Sequence, residues 1–345
     1  MDYSLYHRIL GSLAGTAIGD AMGAATELLT EEEIVKRFGA PVESFKKPPL
    51  ANPYAGGREA GQITDDASLT FYLAETYINA KGKLSPQLVA DTILRWSENG
   101  EYFPRFAGPT TKTAVERLRA GEDPVVVGRH EEISPGGVTN GGAMKVSPAG
   151  LVNPGNLKQA TQDAVVICRP THGTQIAMSG AAAVACAVAE AVTERATVMS
   201  VIKAAQQGAI DGEHLGRQVG RIAAGPSVVK RIELAIHIAL TTADADTACR
   251  RIGQYVGSGL HTAEAVPAAI GIFLAMGGEP LATIKWAVNV GDDTDTVACI
   301  AGAIAGAFAG FDRIPKDLYE QVTKINNLRL EELATGLTEL AQRDS

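Results

Sequence analysis

Two short segments rich in acidic and hydroxyl side chains stand out in this 345-residue chain. The segment 291–296 reads Gly-Asp-Asp-Thr-Asp-Thr and leads directly into an apolar run over 297–311. No Lys or Arg lies between Lys285 and Arg313, so no basic residue nearby in sequence can neutralise these acids. Burying an unpaired carboxylate is costly or forces a shift of its pKa. A hard cation with oxygen ligands, such as Mg²⁺, Mn²⁺ or Ca²⁺, would remove that cost.

A second segment, more than two hundred residues upstream, repeats this chemistry. Thr64, Asp65 and Asp66 precede apolar residues at helical spacing, and no basic residue lies between Arg58 and Lys81. If the two segments face one another across a cleft, their oxygen atoms suffice for two octahedral ions with water completing the coordination. Paired ions about 3.5–4 Å apart are a common hydrolytic arrangement. The pattern therefore predicts a binuclear site with the ligands Thr64, Asp65, Asp66, Asp293, Asp295 and Thr296.

A simpler interpretation of the segment 291–296 is that Asp295 or Thr296 caps the helix that follows. A cap needs one such residue, whereas this segment places three acids within four positions. An EF-hand does not fit, because position six counted from Asp293 is Ala298 instead of Gly, and position twelve is Ile304 instead of Glu. Metal binding and capping are therefore the two interpretations of this segment taken alone.

Three further motifs accompany the acidic segments. A Gly-rich run over 11–23 precedes Glu27, the segment 140–144 reads Asn-Gly-Gly-Ala-Met, and His172 precedes an Ala-rich stretch. In this order, and across most of the chain from about 10 to 310, the five motifs resemble those of the ADP-ribosylglycohydrolase family. A single motif of this kind is weak, whereas the ordered set of five is specific.

The resemblance implies an all-α fold, a compact orthogonal multi-helix bundle with a binuclear metal cleft. It implies a metal-dependent hydrolase that cleaves the glycosidic bond at C1 of ribose, with two divalent cations, Mg²⁺ or Mn²⁺, on the six ligands above. The expected substrate is an ADP-ribosylated protein side chain or a small ADP-ribosyl or ribosyl compound. By the same resemblance, catalytic roles fall to Glu27, Asp66 and His172. Substrate contacts fall to one loop, at Asn140, Gly141, Gly142, Met144 and Lys145.

Three positions depart from the family pattern: Ala67, Asp292 and Lys145 stand where Thr, Gly and Arg are common. Lys in place of Arg removes a bidentate phosphate fork and leaves a point charge. An N-ribosyl hydrolase of a smaller, nucleoside-like compound is therefore one alternative, and a non-catalytic binding or structural relative is another. If the loop binds a diphosphate, Lys145→Ala should weaken ADP-ribose binding, and the nucleoside alternative predicts little change.

Several residues also have purely structural interpretations. Without the resemblance, His172 is best explained as a helix-start residue bonded into the core, and Glu27 as an exposed residue beyond a helix end. Asp20 either satisfies backbone donors near the cleft or supports the metal ligands. The segment 108–113 resembles the end of a phosphate-binding loop, but a Walker A motif needs Gly directly before Lys.

Helical patterns cover almost the whole chain, and clear strand alternation is missing. Glycine at every fourth position in 11–23 and again in 302–310 predicts two core helices whose backbones approach closely. Because the two acidic segments must meet, residues 1–345 are predicted to form a single domain. The predicted helices include 5–24, 66–80, 173–194, 197–211, 214–223 and 296–309.

Composition agrees with a cytoplasmic enzyme. The net charge of −8 argues against a nucleic-acid partner, which requires a basic surface. The four cysteines are widely spaced and form no Cys-x-x-Cys pair, as expected in a reducing compartment. The N-terminus lacks the basic region of a signal peptide. The hydrophobic stretch 9–29 contains acids and 297–311 has only 15 residues, so no membrane span is predicted.

Overall fold

The computed structural model describes residues 2–343, and α-helices make up most of that range. Its β pairing consists of two isolated bridges, Thr139–His261 and Thr174–Arg221. No helix in the described range is long and apolar enough to cross a membrane. The all-α prediction is confirmed. The α-helices are α1 (Tyr3–Gly23), α2 (Glu31–Phe38), α3 (Asp65–Asn79), α4 (Pro86–Ser97), α5 (Phe103–Phe106), α6 (Pro109–Arg119), α7 (Pro124–Arg129), α8 (Ser147–Leu151), α9 (Leu157–Cys168), α10 (Gln175–Ala191), α11 (Val198–Val219), α12 (Val228–Thr241), α13 (Ala245–Tyr255), α14 (Thr262–Ala275), α15 (Pro280–Asn289), α16 (Thr294–Ala309), α17 (Lys316–Asn326) and α18 (Leu330–Ala341).

Helices α1, α10 and α16 form the centre of the molecule. Almost every residue of α10 and α16 is buried, as is α1 from Ile9 onward. A helix that is apolar on all faces belongs in the interior rather than on the surface. Helices α9, α11 and α14 pack around α10, and α15 packs against α16. The Ala-rich run of the sequence therefore marks the core, as its composition indicates.

The backbones of α1 and α16 run antiparallel in direct contact. A Cβ atom added at Gly15 would lie 2.1 Å from the carbonyl oxygen of Gly302. At the end of α1, a Cβ atom at Gly23 would lie 2.4 Å from the Cα atom of Asp295. No side chain fits at these positions without separating the helices. The glycine spacing thus sets the end of α1, and with it Glu27, beside the start of α16.

We expect Gly15→Ala to destabilise the protein by about 1–3 kcal/mol, the usual cost of overpacking a core. The added methyl group would meet helix backbone, which cannot move aside as a side-chain end can. Urea unfolding of both variants tests this, with Gly100→Ala as the control because a Cβ atom there meets open space. Equal stability of the two variants would contradict the close-packing interpretation.

Helix α11 differs from the sequence prediction. The ranges 197–211 and 214–223 were expected as two helices, and the structure has one continuous helix over Val198–Val219. The glycine that suggests a break, Gly212, lies within the helix, where an added Cβ atom would be 2.6 Å from the carbonyl oxygen of Met178. Close packing against α10 therefore accounts for this glycine, and that contact is invisible in the local sequence.

Helix α18 is absent from the sequence prediction, although its pattern is readable. Its buried residues Leu330, Ala334, Leu337 and Leu340 recur at three- and four-residue spacing. The helix packs against α1 and α3. It therefore supports the two helices that carry the N-terminal half of the site.

Candidate metal centre

The first turns of α3 and α16 open onto one cavity of about 280 Å³. The partly buried side chain of Glu27, just beyond α1, lines the same cavity. The structure therefore brings together two acidic segments that lie far apart in the chain. The predicted metal ligands that line the cavity are Asp65, Asp66, Asp293, Asp295 and Thr296.

The sixth predicted ligand, Thr64, is fully buried beside the cavity and forms the N-cap of α3. Its hydroxyl accepts the backbone N–H of Asp66 at 3.4 Å and donates to the Asp66 carboxylate at 3.3 Å. The carboxylate of Asp20 accepts the N–H groups of Thr64 at 3.0 Å and Ala67 at 2.9 Å. Burial raises the pKa of Asp20 to about 6. Asp20 thus satisfies backbone donors and by doing so fixes the turn that carries Asp65.

Capping does not explain the acids of α16. The helix begins at Thr294, so its N-cap residue is Asp293, and the Asp293 side chain makes no cap hydrogen bond. The Asp293 carboxylate accepts a hydrogen bond from the Asn140 side-chain amide instead. Asp295 accepts the N–H of its neighbour Thr296, at 3.0 Å, and no Lys or Arg within residues 2–343 forms an ion pair with it. The carboxylates therefore remain available to a ligand in the cavity.

The fold holds these carboxylates close together, and none of them forms an ion pair with a Lys or Arg within residues 2–343. The buried Lys145 acts on Asp65 and Asp66 without a direct contact. The pKa of Asp65 rises to about 8, chiefly because of burial and then because of Asp20. Burial and neighbouring carboxylates likewise hold the pKa values of Glu27, Asp66 and Asp295 well above their ordinary range. Such repulsion between carboxylates lowers the stability of the folded protein unless a bound ligand relieves it.

The donor set fits a hard divalent cation. Two carboxylate oxygens, Asp66 Oδ1 and Glu27 Oε2, are buried and have no hydrogen-bond donor among the described residues. One oxygen each from Glu27, Asp293 and Asp295 lie within 4.8 Å of one another. Mg²⁺ and Ca²⁺ bind such oxygens at about 2.0–2.6 Å, so one ion can reach all three. Glu27, expected only as a catalytic residue, thus also belongs to the candidate ligands.

Only part of the loop that is expected to contact the substrate lines the cavity. Asn140, Gly141 and Met144 line the cavity, whereas Gly142 and Lys145 do not. A Cβ atom at Gly142 would lie 2.8 Å from the sulfur of Cys168. The buried Lys145 ammonium donates to the carbonyl oxygen of Gly141, and burial lowers its pKa to about 8. Any effect of Lys145→Ala on substrate affinity would therefore act through the position of Gly141.

His172 lines the cavity as a buried, neutral imidazole. Burial, followed by the charge of Lys145, holds its pKa well below the ordinary value. Its Nε2 atom pairs with the Thr139 hydroxyl at 3.0 Å, and its Nδ1 atom with the Thr171 hydroxyl at 2.8 Å. A Cβ atom at Gly141 would lie 2.8 Å from the ring. The imidazole is thus fixed against the loop that is expected to contact the substrate.

One wall of the cavity was not predicted from the sequence. It includes the aromatic residues Tyr54 and Phe106, together with Leu260 and the start of α6 at 108–112. Single aromatic and leucine residues in loops carry no pattern that predicts a site. The segment 108–112 does have a signal, its likeness to a phosphate-binding loop, which fails as a Walker A motif.

Asp292 lies on the cavity rim with φ of 64°, a left-handed conformation that favours glycine. We expect Asp292→Gly, the commoner family residue, to stabilise the protein by about 1 kcal/mol. We also expect it to leave metal binding intact, because the Asp292 side chain is exposed rather than turned into the cluster. Thermal unfolding and metal titration test both effects, and Asp292→Val should destabilise. Loss of a bound ion in Asp292→Gly would make Asp292 a ligand.

Comparison with known proteins identifies the family. The pattern that defines ADP-ribosylglycohydrolases matches residues 1–345. The chain is 31% identical to YegU from Escherichia coli K12, over 97% of this chain and 98% of that protein. It is 25% identical to the ADP-ribosylarginine hydrolase Tri1 from Serratia proteamaculans, over 92% of this chain and 76% of that protein. The chain therefore belongs to the ADP-ribosylglycohydrolase family.

A solved structure supports the fold. It is described as an ADP-ribosylglycohydrolase-related protein complex and superposes with a TM-score of 0.70 at 24% identity. The match covers 98% of this chain and 99% of the other. The family consists of glycohydrolases that depend on metal ions, which agrees with the acidic cluster in the cavity.

Proposed function

We propose that this protein cleaves the glycosidic bond at C1 of ribose in ADP-ribosylated protein side chains or small ADP-ribose conjugates, in a metal-dependent reaction. Family membership supports the hydrolase class. The observation that carries the proposal is the convergence of Glu27, Asp65, Asp66, Asp293 and Asp295 on one cavity, where none of them forms an ion pair with a described Lys or Arg. A binding protein gains no stability from such repulsion, so a non-catalytic role is disfavoured.

The metal ligands in this proposal are Thr64, Asp65, Asp66, Asp293, Asp295 and Thr296. Two divalent cations, Mg²⁺ or Mn²⁺, would hold the ribose hydroxyls and lower the pKa of water. The Glu27 carboxylate has an oxygen without a hydrogen-bond donor, and its raised pKa makes it a better proton acceptor. It can therefore take a proton from the attacking water or stabilise positive charge at C1. Asp66, whose Oδ1 atom also has no hydrogen-bond donor among the described residues, is the other candidate for the general base.

The loop over 139–145 would hold the substrate in place. Asn140 donates to Asp293 and so links the loop to the acidic cluster. Gly141 and Gly142 offer backbone amides to phosphate oxygens, because glycine allows close approach. His172 keeps the loop in position through Thr139. Met144 contributes an apolar part of the cavity wall.

A smaller, nucleoside-like ribosyl substrate is the second candidate. The Lys145 ammonium is bonded to the Gly141 carbonyl and does not line the cavity, so it provides no direct phosphate contact. The cavity of about 280 Å³ is also slightly smaller than the range of roughly 300–1,000 Å³ for small-molecule sites. Both observations suit a ligand smaller than ADP-ribose.

Titration of the Mn²⁺-loaded protein with ADP-ribose and adenosine, combined with an assay for ADP-ribose release from an ADP-ribosylated peptide, tests the proposal. We expect ADP-ribose to bind at least about tenfold more tightly than adenosine, since a charged hydrogen bond to phosphate contributes about 1.5–3 kcal/mol. Equal affinities together with hydrolysis of a nucleoside would favour the second candidate. Tight ADP-ribose binding without hydrolysis would support a binding protein.

A further inference from the structure

Helix α6 begins at the wall of the cavity with an open first turn. Its N-cap residue, Gly108, has no side chain that could cap the helix. Pro109 carries no N–H, and the N–H groups of Thr110 and Thr111 have no acceptor among the described residues. Free N–H groups and the helix dipole together favour an anion at such a terminus.

The side chain of Thr111 indicates a ligand independently of the helix start. Thr111 is only 8% exposed and lines the cavity. Its hydroxyl makes no hydrogen bond within residues 2–343. The Thr111 hydroxyl oxygen is not itself sealed off by protein atoms, and it opens onto the cavity that the residue lines. This hydroxyl is therefore available to a polar group bound in the cavity.

Lys112 adds positive charge at the same turn. It is the one Lys or Arg among the residues described as lining the cavity. Its ammonium lies 3.5 Å from the carbonyl oxygen of Pro104 and forms no ion pair with a described acid. The other ionisable groups in the wall are carboxylates, the Tyr54 phenol and the neutral His172. An anionic substrate group therefore meets a cation only at α6.

We propose that the first turn of α6 binds a phosphoryl group of the substrate through the N–H groups of Thr110 and Thr111, the Thr111 hydroxyl and the Lys112 ammonium. The ligand class is a ribosyl phosphate or diphosphate whose ribose reaches the acidic cluster. This assignment rests on the proposed function and adds a phosphate contact outside the loop over 139–145. It gives the cavity the cation that Lys145 does not provide.

Calorimetric titration of the Mn²⁺-loaded, full-length protein with ribose, ribose 5-phosphate and ADP-ribose tests the site. Thr111→Val removes the hydroxyl at nearly constant shape, and Lys112→Gln removes the charge. We expect each to weaken binding of a phosphorylated ligand about ten- to a hundred-fold and to leave ribose binding unchanged. Lys112→Arg should retain most of the affinity. Thr113→Val, at an exposed position of the same helix, is the control and should change nothing.

The two phosphorylated ligands distinguish the source of the phosphoryl group. A loss with ribose 5-phosphate supports recognition of a monoester, and a loss with ADP-ribose alone supports a diphosphate. Unchanged affinity for both in Thr111→Val and Lys112→Gln, with normal melting curves, would overturn the site. So would an equal loss for ribose. Hydrolysis by the wild type in that case would leave the proposed function standing, because it is measured separately.

Discussion

Exhaustive removal of divalent cations with EDTA is expected to abolish hydrolysis and to lower the melting temperature by several degrees. Bound ions would relieve the repulsion among Glu27, Asp65, Asp66, Asp293 and Asp295, and this arrangement of carboxylates exists only in the native state. An ion present at one hundred times its Kd stabilises the native state by about 2.7 kcal/mol. Addition of Mg²⁺ or Mn²⁺ should restore both activity and melting temperature.

The effect should depend on pH in a definite direction. In the metal-free fold the pKa of Asp65 is about 8, against an ordinary value of 3.8. The folded state thus holds this proton more tightly than the unfolded chain, and ionisation opposes folding. The metal-free protein should therefore lose stability as the pH rises from about 4 to about 8. Melting curves with and without EDTA at pH 5.5 and pH 8 should differ more at pH 8.

A metal centre would be contradicted if a metal-free sample, verified by elemental analysis, melted at the same temperature as the loaded protein and retained full activity. In that case the acids would have to serve the reaction directly, and the repulsion among them would need another explanation.

The second large effect is expected from Asp66→Asn and Asp295→Asn. Each should lower kcat by about two orders of magnitude or more, because a neutral amide is a poor ligand and a poor charge stabiliser. The helical fold should persist, since both side chains face the cavity instead of packing in the core. Steady-state kinetics at saturating Mn²⁺ and circular dichroism measure the two quantities.

The metal-free stability of these variants separates a ligand from a structural residue. Removing one of several repelling charges should leave the metal-free melting temperature unchanged or raise it, while the gain on adding Mn²⁺ shrinks. Asp312→Asn, at an exposed carboxylate remote from the cavity, is the matched control. Two ions still bound tightly by Asp295→Asn in calorimetry would count against its assignment as a ligand.

Much of the site could be predicted from the sequence because its signals are local. Two acidic segments without cations, each opening a helix, define the chemistry whatever the path of the chain between them. The glycine spacing of α1 and α16 likewise predicts contact between the two helices, since glycine has no Cβ atom to keep their backbones apart. The all-α class follows from helical patterning over most of the chain.

Other features depend on contacts between distant residues and had no local signal. The continuity of α11 through Gly212 depends on α10, and the position of Lys145 behind Gly141 depends on how its loop folds back. The local sequence around Lys145 is the same whether its ammonium points toward a substrate or toward a backbone carbonyl. Its burial decides between the two.

By itself, the sequence determined the chemistry of the acids, the helical class and the close packing of α1 against α16. Residue type and spacing set these properties. The tertiary structure alone decided which side chains share the cavity. It added Glu27 to the candidate metal ligands and directed the Lys145 ammonium to the Gly141 carbonyl instead of the cavity. It also placed the first turn of α6, with Thr111 and Lys112, in the cavity wall. Charge and hydrogen-bonding capacity belong to residues, but their partners are set by packing between elements far apart in the chain.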